Sequence, residues 1–414
     1  KYSVKTILDM NYKSAKRFFF RPRSYFSLAL PSYFQFDRIL TKTRELLWKQ
    51  NLCDYYHQSA HPRTFSDINY PIIYNKDGEY AWRKYQIVHP FFYTEIVHLL
   101  TKETTWNYIR GRVKRFRNPR IVCASMIPVP TSKINKNEQD IFNWAGNFTN
   151  ETVRKALEYK YMLATDMTNC YDTLPLRLLP WALRDPDDPE APAIGEQIHL
   201  LLGDMLYGQT CGIPQGSVLM DFLAEIILSF LDGILFERLG GILDIFILRY
   251  RDDYRIFAND ATTARKAMKV LVETLAEFDL KINLSKTFLT SDVINFAFKP
   301  DRLAWRALDP LIFGENKLSI LKSLLFIRDF GRKYPNCGSL KAALSKLYQR
   351  EVCESRCADD VWQIAAILLD IMYINPGVWP HCIAILSKYL EARDPATVLK
   401  IITHVREKFS DIPN

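Results

Sequence analysis

The chain has 414 residues and 48.4 kDa, with 48% hydrophobic, 13% aromatic and 24% charged residues. That is enough apolar material for a large core in about two to four domains, and it is far too aromatic for a disordered tail or a fibrous repeat. The net charge of +9 is uneven: residues 1–150 carry 24 Lys and Arg against 11 Asp and Glu, whereas the remainder carries 31 against 35.

Lys1 to Lys16 lack the apolar core of a secretory signal, so a cytoplasmic setting is expected. Residues 1–107 read as mixed helix and loop, with helical periodicity from Phe36 to Leu47 and a Pro-aromatic turn at Leu30-Pro31-Ser32-Tyr33. Arg17-Phe18-Phe19-Phe20-Arg21-Pro22-Arg23 and Arg110 to Arg120 mix cations with aromatics, a composition suited to phosphate neutralisation and base stacking, although a solvated basic face has the same make-up. From Tyr108 to Pro130, basic and apolar residues alternate around Asn118-Pro119, which predicts a basic β-hairpin.

Glu151 to Tyr159 reads as a helix feeding a buried strand, Tyr161 to Thr165, that ends at Asp166. Arg184 to Ala193 holds three prolines and predicts an exposed acidic loop. Apolar pairs recur every four residues from Val218/Leu219 to Ile234/Leu235, a helix whose wide apolar face needs a sheet to pack on. Glu225, Asp232 and Asp370 break the longest apolar runs below the ~18 residues a membrane span requires. Ile245 to Tyr250 and Tyr254 to Phe257 flank Arg251-Asp252-Asp253 as a hairpin, and a helix follows from Ala261 to Phe278. After about Lys299 the pattern is wholly helical, with candidates at Lys317 to Arg332, Ser339 to Glu351, Val361 to Ile374, Val378 to Glu391 and Ala396 to Phe409. The eight cysteines are scattered as reduced thiols, and Cys353, Cys357 and His381 have the spacing of ordinary packing rather than a zinc site.

Three carboxylates carry the chemical reading: Asp166 at a strand end, and Asp252 with Asp253 in a turn some 85 residues later. Brought together by one sheet, they suit paired divalent ions that offset the charge built up in nucleotidyl transfer; Mg2+ takes one or two carboxylates each and completes its shell with water and phosphate. An acidic dipeptide alone is an ordinary turn. The order of its companions adds more: Ala164-Thr165-Asp166-Met167-Thr168-Asn169-Cys170-Tyr171-Asp172, then Gly212-Ile213-Pro214-Gln215-Gly216-Ser217 opening a long helix, then Tyr250-Arg251-Asp252-Asp253, then Asn283-Leu284-Ser285-Lys286-Thr287.

Over residues 110–290 this series resembles the reverse transcriptase superfamily. Asn169 to Leu174, Leu30 to Phe34 and the helical C-terminus look most similar to prokaryotic abortive-infection and defence-associated reverse transcriptases, with the type 2 defence-associated group the nearest likeness. The resemblance implies an α/β (α+β) right-hand polymerase. Its parts would be an N-terminal segment with part of the fingers (1–107), basic fingers (108–160), a palm with an antiparallel catalytic sheet (161–299) and an all-α thumb (300–414). It implies that Asp166, Asp252 and Asp253 are catalytic and hold two Mg2+, for which Mn2+ can substitute, with the carbonyl of Met167 as a further ligand. It implies that Tyr171 excludes a 2′-hydroxyl, that Gln215 and Gly216 meet the incoming nucleotide, that Lys286 faces the pyrophosphate, and that Arg120, with Arg112 and Lys114, grips the triphosphate. Arg251 replaces the small residue common there, and a cation at that point is expected to depress the carboxylate pKa values or crowd the metals.

The expected function is therefore RNA-directed synthesis of cDNA from dNTPs on a structured non-coding RNA, in antiphage defence, with no membrane involved. Template-independent or protein-primed DNA synthesis, RNA-dependent RNA synthesis, and an inactive RNA-binding assembly module are the alternatives.

Overall fold

The computed structural model describes residues 5–28, 30, 33–56, 60–75, 82–128, 148–186, 193–315, 318–353, 360–391 and 393–410. Pro31, Ser32, Cys357 and positions 187–192 of the expected acidic loop lie outside these. The chain divides into two compact units: residues 1–72 with 85–297, and residues 73–84 with 298–414.

Among the described residues there are seven strands: β1 Tyr70–Asn75, β2 Trp82–Ile87, β3 Ile121–Cys123, β4 Tyr161–Asp166, β5 Ile245–Tyr250, β6 Asp253–Ala258 and β7 Phe288–Thr290. β1 and β2 form a two-stranded sheet, and the other five form a sheet in the order β3-β5-β6-β4-β7. Only β3 with β5 is parallel; the other three pairings are antiparallel. The expected strand at 161–166 and the hairpin at 245–258 are therefore present. The expected hairpin from Tyr108 to Pro130 is not: residues Glu103–Arg115 are helical, and among the described residues of this stretch, which end at Pro128, the strand is Ile121–Cys123. Trp106, Ile109 and Val113, at helical spacing, are fully buried, so the 3.6-residue period overrides the local alternation.

Alternation along the strands gives the five-stranded sheet two different faces. Ile245 and Ile247 of β5, Tyr254 and Ile256 of β6 and Leu163 of β4 join the main core, which includes the apolar side of helix Val218–Arg238 and of helix Ala261–Ala276. Phe246 and Leu248 of β5, Phe257 of β6 and Met162 of β4 point the other way, into a small cluster with Phe148 and Val293. On that second face Asp166 follows Met162 and Ala164 at two-residue intervals, and Asp253 lies two residues before Arg255.

A buried cation fastens the β5–β6 hairpin to the long helix. Arg249 of β5 points to the helix-covered face and is 0% exposed. Its Nε lies 3.0 and 2.8 Å from the two Asp232 oxygens, and its Nη1 donates to Glu225 Oε2 at 3.1 Å and to the carbonyl of Arg251 at 3.1 Å. Asp221, Glu225 and Asp232 fall on one face of the helix at spacings of four and seven residues. The acids that interrupt the apolar helix are thus partners for the strand rather than surface charges.

The C-terminal unit is helical as expected: Pro300–Phe313, Ile320–Lys333, Gly338–Cys353, Val361–Ile374, Trp379–Leu390 and Pro395–Phe409. Leu324, Ile327, Leu344, Ile364, Leu368 and Ile385 centre its core. Asp394 caps the last helix by accepting from Thr397 N at 2.9 Å, with Pro395 in the first turn. Among the described residues no helix is long and apolar enough to cross a membrane.

Asp232→Ala should cost about 3–5 kcal/mol of unfolding free energy in a denaturant titration, because it leaves Arg249 buried with only part of its compensation. A loss no larger than the ~0.5 kcal/mol of an ordinary surface substitution would show that the pair does not hold the sheet to the helix.

Candidate active site

The open face of the sheet brings the three acids together. In the β4–β6 register Asp166 is directly opposite Asp253, and such cross-strand neighbours have Cβ atoms about 4.5–5.5 Å apart. Asp252 sits in the two-residue connection between Tyr250 and Asp253, which are themselves paired. Arg251, the other turn residue, has φ 54°, a left-handed conformation that the tight hairpin turn requires. The backbones are tied together as well: Met167 N donates to the Asp252 carbonyl at 3.1 Å, and Asn283 N donates to the Asp166 carbonyl at 2.8 Å. Thr168 N donates to the Lys281 carbonyl at 2.8 Å, so the bridge between Met167 and Ile282 does not use the Met167 carbonyl.

Burial and mutual repulsion mark these carboxylates as a charged cluster. Desolvation, and then the Asp166 charge, raise the pKa of Asp252. Asp253 is exposed at the edge of the cluster, with atoms of the sheet packed around it. Desolvation, then Asp252 and Asp166, push its pKa up to about 6. Asp166 is 5% exposed; its Oδ2 accepts from Lys286 Nζ, and its buried Oδ1 has no hydrogen-bond partner. An unpartnered buried carboxylate oxygen next to two carboxyls with raised pKa fits hard cations with oxygen preference. Among the described residues, no group of three or more His, Cys, Asp or Glu forms a metal cage by itself; an ion here would draw part of its shell from water and phosphate.

Around the acids the backbone is stitched into one bed. Asn169, at φ 47°, starts the short helix Cys170–Thr173. Ile213 N donates to the Tyr171 carbonyl at 2.7 Å and Gly212 N to the Leu174 carbonyl at 2.9 Å, which sets the Gln215-Gly216 turn beside Tyr171. The Gln215 carbonyl accepts from Gln86 N at 2.8 Å and the Gly216 carbonyl from Ser27 N at 2.7 Å. Gly216 has φ 118°, and a Cβ there would lie 2.7 Å from the Phe26 ring, so only glycine fits. Tyr171 is buried and donates its hydroxyl to Asp221 Oδ1 at 2.8 Å. Burial, and then Asp221, hold its pKa well above the usual value, so the hydroxyl keeps its proton.

The basic residues differ from expectation. Arg120 lies at the other end of the sheet, before Ile121, which pairs with Ile247. Its Nη1 donates to the Ile242 carbonyl at 2.7 Å and its guanidinium covers the Phe236 ring. Arg112 is buried, bonded to the Arg184 carbonyl at 2.7 Å and paired with Asp185 at 3.6 Å. Neither is brought to the acids, because both satisfy carbonyls within the fold. Lys114 is exposed on helix Glu103–Arg115 and lies near enough to Asp9 to stabilise its charge. Asp185, expected in an exposed acidic loop, is buried as the partner of Arg112 and Arg115. Lys286 is on Asp166 itself. The Arg251 guanidinium is held by Asp221 Oδ2 at 3.0 Å; its charge works to lower the Asp252 pKa, as expected, but desolvation and Asp166 outweigh it and the net shift is upward. Sequence reading missed Asp221, Glu225, Asp232, Arg249 and Ser125. The first three were visible as acids on one helix face, and Arg249 with Arg251 as cations at a two-residue strand interval.

The raised Asp253 pKa has a signed consequence. In chelator, the folded chain binds a proton at Asp253 that an unfolded aspartate has already released, so this residue's contribution to stability falls as pH rises from 3.8 to about 6 and is then constant. The difference in stability between Asp253→Asn and the unaltered protein, measured by denaturant titration in chelator, should therefore grow in favour of the variant across that interval. A difference independent of pH would contradict the assigned crowding.

A protein-family model described as reverse transcriptase (RNA-dependent DNA polymerase) matches residues 81–305. Mouse telomerase reverse transcriptase is 32% identical over 106 residues, which are 26% of this chain and 9% of the mouse protein; the bovine protein is 33% identical over the same length and shares. The match therefore spans less than a tenth of those relatives. Among solved structures, apo telomerase from Candida tropicalis aligns at TM-score 0.38 and 14% identity, over 88% of this chain and 74% of the other. A telomerase from Candida albicans with a fragment of telomeric RNA aligns at TM-score 0.32 and 14% identity, over 77% and 57%. With the family model covering more than half of its length, this chain belongs to the reverse transcriptase family.

Proposed function

We propose that the chain is an RNA-directed DNA polymerase whose active centre is Asp166, Asp252 and Asp253. The observation that carries this reading is the register that sets Asp166 against Asp253, with Asp252 in the connecting turn. Asp166 and Asp252 would hold two Mg2+ ions, with Asp253 and the Met167 carbonyl assisting. The ions supply charge that lowers the pKa of the primer 3′-hydroxyl and offsets the negative charge of the reacting phosphate.

The protein's own residues set the geometry. Tyr171, anchored in the core, presents its ring where the C2′ of an incoming sugar lies and leaves no room for a 2′-hydroxyl. The Gln215-Gly216 turn would meet the incoming nucleotide, and glycine at 216 lets that turn seat against Phe26, where a Cβ would clash. Lys286, with a pKa raised first by its hydrogen bond to Asp166, is a charged neighbour for the departing pyrophosphate. The positive charge of residues 1–150 suits an RNA template held by its phosphates. The motif Asn169 to Leu174 and the Leu30 to Phe34 segment extend the reading to a cognate structured non-coding RNA, a cDNA product and a role in antiphage defence.

Asp252→Ala with Asp253→Ala should abolish dNTP incorporation in a primer-extension assay while RNA affinity in filter binding stays within a few fold; undiminished incorporation by the double variant would overturn the assignment. The unaltered protein should incorporate dNTPs only when RNA is present and should discriminate against NTPs, and Tyr171→Ala should admit NTPs. Robust NTP use by the unaltered protein would instead indicate an RNA polymerase, and synthesis unchanged without RNA would remove templating.

A further inference from the structure

Asp221 has no part in the chemistry above, yet one of its oxygens holds Tyr171 and the other holds the metal-site turn. The Tyr171 hydroxyl donates to Oδ1 at 2.8 Å and Arg251 Nη2 to Oδ2 at 3.0 Å, so the two donors do not compete. Arg251 is itself fixed from the opposite side. Its amide donates to Ser125 Oγ at 2.6 Å, its carbonyl accepts from the buried Arg249, and Ser125 Oγ lies 3.4 Å from Arg249 Nη1. A continuous series of contacts therefore runs from the buried guanidinium through the 251–252 turn and Asp221 to the far end of the Tyr171 ring.

We propose that Asp221 is a positioning residue for sugar discrimination, pinning the Tyr171 ring to the turn that carries Asp252. The inference rests on Tyr171 being the sugar gate. A ring held by packing alone can tilt, and a tilt of about an ångström at the ring is the order of space that a 2′-hydroxyl needs. A hydrogen bond from the phenol to a carboxylate is stronger than a neutral one and acts at the point where tilting moves the ring most. Because the other oxygen of the same carboxylate is bound to Arg251, the gate is referenced to the metal-binding turn and not merely to the helix Val218–Arg238. Sugar selection and placement of Asp252 thus share one rigid support.

The test is single-nucleotide primer extension on an RNA template, comparing kcat/KM for a dNTP with that for its NTP in the unaltered protein, Tyr171→Ala, Tyr171→Phe, Asp221→Ala and the Tyr171→Phe/Asp221→Ala double variant. Tyr171→Phe keeps the ring and removes only the hydroxyl. It should lower the dNTP/NTP ratio about tenfold, as loss of one charge-assisted hydrogen bond would. Asp221→Ala should lower it at least as far, since it removes that bond and the hold on Arg251, and the double variant should fall no further than Asp221→Ala alone, because the bond lost in Tyr171→Phe is already gone. A normal ratio in Asp221→Ala, or additive losses in the double variant, would overturn the inference. If Asp221→Ala does not fold, Tyr171→Phe decides it: an unchanged ratio in that variant overturns the proposal and the expected loss supports it. Tyr171→Ala separates the two levels. An unchanged ratio there removes the gate itself, whereas a changed ratio with normal Tyr171→Phe and Asp221→Ala removes only the role of Asp221.

Discussion

The fully buried Arg249 is the interaction on which the site depends. Taking a guanidinium out of water is costly unless charge and hydrogen bonds compensate it. Here Glu225 and Asp232 of the long helix, Ser125 beyond β3 and the Arg251 carbonyl all converge on it. That requirement fixes the height of β5 against the helix and the conformation of the turn after it. An aliphatic residue could fill the same volume, but it would leave the turn carbonyl and two helix carboxylates without their partner.

With one face of the sheet fixed in this way, strand parity decides what the other face presents. Asp166 and Asp253 can only emerge opposite each other on the side away from the helix, and the tight turn sets Asp252 next to them. The result is an arrangement that folding alone would disfavour: three neighbouring carboxylates, two with pKa raised by desolvation and then by their neighbours, and a buried oxygen of Asp166 unpartnered. Lys286 offsets part of this charge. Divalent cations and the phosphates they bring would offset the rest, which is why local repulsion points to function rather than to poor packing.

Much of this was legible in the sequence because it is periodic. The strand ending at Asp166, the hairpin around Asp252, the helix after Ser217 and the helical run after Lys299 all announce themselves by apolar spacing and turn residues, and the observed boundaries differ by a few residues. The basic segment before Asn118 misleads because helix Glu103–Arg115 buries Arg112 along with Trp106, Ile109 and Val113. Alternation in charge then looks like a strand when it is a helix with one internal cation. Arg120 misleads for a related reason: an arginine just after the Asn118-Pro119 turn reads as a phosphate ligand, but a backbone carbonyl and an aromatic ring claim it. Partners that are distant in sequence, such as Asp221 with Tyr171 and Arg251, become evident only when the helix and the hairpin are set side by side.

The proposed chemistry requires cations held between the strand end at 166 and the turn at 252. The most direct measurement is anomalous diffraction from crystals of the protein soaked with Mn2+ and a non-reacting dNTP analogue. Metal peaks are expected within coordination distance of Asp166 and Asp252 carboxylate oxygens, with Asp166 Oδ1 among the ligands. Peaks confined to other acidic groups, with Asp166 still bonded only to Lys286, would contradict that chemistry.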